Sequence, residues 1–142
     1  VTRTDVSYYL RQLLLSKTAI TQTVSDRVWE APLVNAAEWS SASGADPQLP
    51  CIVVAYDEAG GWPADEDFPL QERAFIIQAV AVKRDDAMSL FGKVQDALAT
   101  SQQTISAKVI SGIRQTVPEV IMQDPDALWH IAEGTFLMVM EA

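Results

Sequence analysis

Apolar positions change their period several times along this chain, and each change predicts an element. In residues 4–17, TDVSYYLRQLLLSK, Val6, Tyr9, Leu10, Leu13 and Leu14 fall at i, i+3, i+4, i+7 and i+8. That spacing puts them on one face of a helix, with Thr4 as N-cap and Asp5 favourable in the first turn. A second stripe, Ala87, Leu90, Phe91, Val94, Ala97 and Leu98, predicts a helix over 85–100, capped by Asp85 or Asp86. Between the helices the period shortens. CIVVAY, 51–56, is a β-rich apolar run and reads as a strand. QERAFIIQAVAVK, 71–83, carries Phe75, Ile77, Ala79 and Ala81 on one face and Ala74, Ile76, Val80 and Val82 on the other, broken only by Gln78. Two apolar faces predict a central strand covered on both sides.

The remaining signals are weaker. Residues 27–31 read as a short strand stopped by Pro32. Residues 35–50 are small, polar and broken by Gly and Pro, and read as a loop. The stretch 101–117 fits a loop with either a short strand or a helical turn. Residues 118–123 fit a strand, Asp124-Pro125-Asp126 a turn, and ALWHIAEGTFLMVMEA a closing strand bulged at Gly134. The order predicts one α+β domain over 1–142, with a mainly antiparallel sheet and helices packed on one face. Strands 51–56 and 71–83 form a long hairpin. Its connection, 57–70, is too polar and too rich in Gly and Pro for a core, so it should project from the sheet.

Charge sharpens that picture. The chain has 19 acids and 10 bases, a net charge of −9. From Val28 to Glu72 there are nine acids and neither Lys nor Arg, so the whole net charge sits in one contiguous third. A phosphate-gripping surface needs clustered Lys and Arg, and this pattern argues against one. It suits a surface that repels phosphates, one that docks a basic partner, or solubility alone. The connection DEAGGWPADEDFP, 57–69, concentrates Asp57, Glu58, Asp65, Glu66 and Asp67 around Trp62 and Phe68. Trp62 is costly to leave in water, which points either to a partner surface or to folding back on its own domain.

Candidate chemistry is sparse, and the chain reads as a non-enzyme with no catalytic, metal or cofactor residues. His130 is the only histidine and lies in a predicted strand, where a structural role is favoured. With Glu133 alone it falls short of a metal ligand set. Cys51 is the only cysteine, so no internal disulfide forms, and its place in an apolar strand reads as packing. Gly60-Gly61 fits neither phosphate-loop pattern, and the 65–67 acids lack the alternation of an EF-hand. Tyr8, Tyr9, Trp29 and Trp39 read as core or edge packing. No apolar run reaches the ~18 residues of a membrane span. The N-terminus lacks a signal-peptide layout, and the single cysteine makes a reducing cytoplasm the expected compartment.

The order SDRVWEAP, DPQLPCIVV, QERAFIIQAVAV and DDAMSLFGKVQDALAT resembles the tail terminator and tail completion proteins of long-tailed bacteriophages. The likeness runs over about residues 5–100 and the last strand. It implies a virion structural protein of the tail and neck, made in the host cytoplasm. Such proteins form a homo-hexameric ring on the tail tube, stop tube polymerisation and join the tail to neck or connector proteins. DNA passes through the lumen without specific binding, and no catalysis or membrane is involved. Trp62, Asp57, Glu58, Asp65, Glu66, Asp67 and Phe68 become the expected ring-contact or lumen residues. Other readings stay open: another neck or connector protein, a tail tube subunit, a single-partner adaptor, or a small carboxylate-based enzyme.

Overall fold

The computed structural model describes residues 3–30, 49–56, 70–99, 103–105, 108–124 and 128–141. In chain order these form α1 (Arg3–Leu15), α2 (Thr18–Val24), β1 (Val28–Glu30), β2 (Cys51–Tyr56), β3 (Leu70–Ala81), α3 (Arg84–Leu98), β4 (Gln103–Ile105), β5 (Lys108–Gln123) and β6 (His130–Glu141). The strands make one six-stranded sheet in the order β1-β2-β3-β6-β5-β4. β1 runs parallel to β2, and the other pairings are antiparallel. The architecture is α+β, as the periodicity predicts, with the helices on one face.

That face holds the main core. Strand alternation sends Ile52, Val54, Phe75, Ile77, Ala79, Ala132, Phe136 and Met138 toward the helices. There they meet Leu10, Leu13 and Leu14 of α1, Ile20 and Val24 of α2, and the full predicted stripe of α3. Phe136 stacks on Phe75 with ring centroids 5.7 Å apart and lies 6.1 Å from Phe91, an offset geometry that aromatic pairs favour. The opposite face is buried around Cys51, Val80 and Ile131, against which Leu49 and Trp129 pack. Gln78 interrupts that face as expected. It is buried, and its amide donates to Glu133 Oε1 at 2.9 Å.

Several boundaries differ from expectation. α1 begins at Arg3, so Thr4 lies inside the helix instead of capping it. The helix stops at Leu15, and a separate helix, α2, follows where no element is predicted. Its β-branched residues lower helix propensity, yet Ile20 and Val24, four apart, both reach the core. The N-cap of α3 is Lys83, without a side-chain cap. Asp85 and Asp86 sit in the first turn, where their charge opposes the helix dipole. Leu70, counted with the loop, already pairs with Glu141.

The closing strand is not bulged at Gly134. β6 pairs with β3 without a break, and Gly134 lies opposite Ile77. Its smallness has another cause: a Cβ there would lie 2.6 Å from Phe91 Cζ and 3.0 Å from Gln115 Nε2. The irregularities fall in β5, at Ile110/Gly112, Gln115/Val117 and Val117/Val120. β5 is itself a 16-residue strand running through most of the stretch left open between loop, strand and helical turn.

Candidate functional site

The sheet has two chemically different ends. At one, β2 finishes at Tyr56 level with Phe75, and β3 starts further out at Leu70. The acidic connection joins the sheet there. Its predicted contact residues, Asp57, Glu58, Trp62, Asp65, Glu66, Asp67 and Phe68, lie outside the described residues, as does Trp39.

At the other end Ala81, His130 and Gln123 are in register across β3, β6 and β5. A groove of about 200 Å³ opens there. Leu49, Pro50, Ala81, Val82 and Leu90 supply its apolar wall, and Thr23, Asp86, Ser89 and Lys93 its polar rim. Lys93 Nζ donates to Thr23 Oγ1 at 2.7 Å, tying α3 to α2. Arg27 Nε donates to the Pro50 carbonyl at 2.9 Å, tying the residue before β1 to the one before β2. Lys83 and Arg84, both exposed, follow Val82 at the start of α3. The groove is smaller than the ~300 Å³ at which small-molecule sites begin. It contains one carboxylate, Asp86, and pairs no two acids for general acid–base work.

Large apolar side chains are exposed at this same end. Val82 is 65% and Leu128 61% exposed, and Val120 and Met122 follow on β5. Leu128 adopts φ 62°, a region uncommon for residues other than glycine. It is held there by a tight closure: its amide donates to the Asp124 carbonyl at 2.9 Å, and the Asp124 amide to the Trp129 carbonyl at 2.8 Å. Pro125 and Asp126 of the predicted turn lie outside the described residues, and nothing in the residue pattern marks Val82 or Leu128 as exposed.

The two residues weighed for chemistry are structural. Burial pushes the Cys51 thiol up to about 12, with the nearby Arg27 charge pulling only partly the other way. A thiol so poorly ionised is a weak nucleophile. His130 Nδ1 lies 3.1 Å from the Val82 carbonyl, to which it donates in the Nδ1–H tautomer. Among the described residues no three of His, Cys, Asp and Glu gather as a metal set. No described helix is long and apolar enough to cross a membrane.

Comparison with solved structures finds the same fold in a chain of the "Virion of native gene transfer agent (GTA) particle". The TM-score is 0.67 and the identity 14%, over 96% of this chain and 95% of that one. Comparison with curated protein sequences gives no match. The model of one family, described as "Tail completion protein gp17", matches residues 9–141, from the middle of α1 to the end of β6. The match takes in nearly every element of the fold, and the chain belongs to the tail completion protein gp17 family.

Proposed function

We propose that this chain closes the end of a tail tube as a homo-hexameric ring, stopping tube growth and presenting a surface to neck or connector proteins. Family membership makes it a structural protein of the virion tail. The observation that carries the finer reading is that match over residues 9–141, joined to a charge pattern suited to a DNA conduit. Nine net negative charges per copy, multiplied around a ring, repel a passing phosphate backbone without binding it. The reading needs no active site, and the groove offers none of the paired carboxylates an enzyme would use.

The acidic connection is the part of the chain best suited to make the contacts. Trp62 and Phe68 supply apolar anchors, and Asp57, Glu58, Asp65, Glu66 and Asp67 supply charge that orients a partner. The test is light scattering of the purified protein over a range of concentrations, with negative-stain images and measured lengths of tail tubes assembled with it. Closed rings and tubes of fixed length are expected. Open stacks would identify a tube subunit instead, and a monomer that never bound tubes would overturn the reading. Trp62→Ala should weaken assembly while the monomer keeps its fold, read by circular dichroism.

A further inference from the structure

We infer that Arg11 and Gln115 are edge guards: each occupies backbone groups at one edge of the sheet, so that copies of this chain meet through side-chain surfaces and not by adding strand to strand. An unpaired sheet edge is a template for another chain. Among the described residues this sheet ends in β1 on one side and, beyond the three pairs made by β4, in β5 on the other.

At β1 the ladder fixes which groups point outward. The Ile52 amide donates to the Arg27 carbonyl at 3.0 Å, and Val28 lies level with Ile52. In a parallel pair that pattern turns the amide and carbonyl of Val28 away from β2. The chain itself takes both. The amide donates to the Asp26 carbonyl at 2.8 Å, and the carbonyl accepts Arg11 Nε, from α1, at 2.8 Å. The guanidinium charge strengthens that bond.

At β5 the guard sits on a bulge. Val117 and Val120 are exposed on this strand, and apolar side chains along a free edge invite aggregation. Register with β6 slips between Gln115 and Val117. Gln95 Nε2, on α3, donates to Gln115 Oε1 at 2.8 Å, and Gln115 Nε2 donates to the Val117 carbonyl at 3.0 Å. Gly134 leaves the room this needs, since a Cβ there would stand 3.0 Å from Gln115 Nε2. Pro118 follows with no amide to offer. An acceptor is taken and a donor is missing at consecutive residues, so an incoming strand meets a break in the middle of the edge.

The assembly reading above supplies the reason for guarding, but the guards are tested in the free chain. Gln115→Val with Pro118→Val, and separately Arg11→Ala, are compared with the parent by light scattering over a range of concentrations and by amide hydrogen exchange. The variants should keep the parent's circular dichroism and grow in mean mass as concentration rises. Exchange should slow roughly tenfold along 112–123 in the first variant and along β1 in the second. Adding Val120→Lys to the first should reverse its growth, because a charge on an edge opposes strand addition. Gln95→Ala, which frees Gln115 without touching the strand, serves the same comparison if the double variant does not fold. Folded variants with the parent's mass and exchange would overturn the inference. So would a parent assembly, in solution or on tail tubes, in which exchange slows about tenfold at either edge. A parent that formed no rings while the variants grew would overturn the assembly reading and uphold this one.

Discussion

β6 has two neighbours and treats them differently. With β3 it pairs from Leu70↔Glu141 to Ala81↔His130 without a break, while with β5 it loses register three times. The same strand supplies both ladders, so the difference lies in what surrounds each partner. β3 is an interior strand with nearly every residue from Arg73 to Ala81 buried, and a one-residue slip would turn its core face outward. Among the described residues, β5 is paired on its outer side by β4 only at Lys108, Val109 and Ile110. From Thr116 to Val120 its side chains are exposed. Bulges and Pro118, which has no amide to donate, interrupt that open edge and blunt it against indiscriminate strand addition. Register is unbroken where both faces of the strand are buried, and the irregularities fall next to the residues of β5 whose side chains are exposed.

The comparison breaks most readily at its packed side. Phe91 is fully buried, lies 6.1 Å from Phe136 and sits over Gly134. Phe91→Ala should cost about 3–5 kcal/mol by chemical denaturation. A loss under ~1.5 kcal/mol would show that the helix-covered face can collapse around the cavity, and that β3 and β6 are not held by packing.

Cys51 probes the same interior from the other face. Its thiol pKa is raised to about 12 in the fold, from 9.0. The unfolded chain therefore ionises first as pH rises. The stability is fully present below pH 9, falls between about 9 and 12, and is gone above the folded value. At ~1.4 kcal/mol per pH unit, the whole window is worth about 4 kcal/mol. Denaturation of the parent and of Cys51→Ala across this range isolates the effect from other groups. Equal slopes in the two proteins would mean that the thiol is not desolvated.

Gly134→Ala asks whether the unbroken ladder depends on one missing methyl. The added Cβ would meet Phe91 Cζ at 2.6 Å, and a ring buried on all sides cannot simply swing away. The expected cost is about 1–3 kcal/mol, read from the denaturation midpoint. A neutral result would mean that α3 rides loosely on β6.

These effects also mark how far the fold can be read from residues alone. The α3 stripe and the two faces of β3 are legible because repeated apolar spacing has one geometric meaning, and all six stripe residues are buried. α2 is not, since Thr, Ile and Val favour strands locally and only tertiary burial of Ile20 and Val24 makes the turn helical. Gly134 is misread for a similar reason: the pattern shows that a glycine is needed but not that Phe91 is why. The groove escapes notice because it joins Thr23, Pro50, Val82 and Lys93, which lie far apart in sequence. The acidic residues, conspicuous in the sequence, lie outside the described residues.

The smallest expected effect falls on β5. Val120 is more than half exposed and lies opposite Glu133 in the ladder. Val120→Lys removes little buried surface and places a cation across from a carboxylate. Such a cross-strand pair contributes about 0.2–1 kcal/mol, less whatever Glu133 loses by turning from Gln78, to which it is already bonded. The monomer's stability should therefore change by no more than ~0.5 kcal/mol. Ladder packing on the β3 side would punish a charge at Ala79 far more heavily, because that residue is wholly enclosed. If Val120→Lys destabilised the monomer by 2 kcal/mol or more, the outer strand would be packed as tightly as the inner one. The broken register would then need a cause other than exposure.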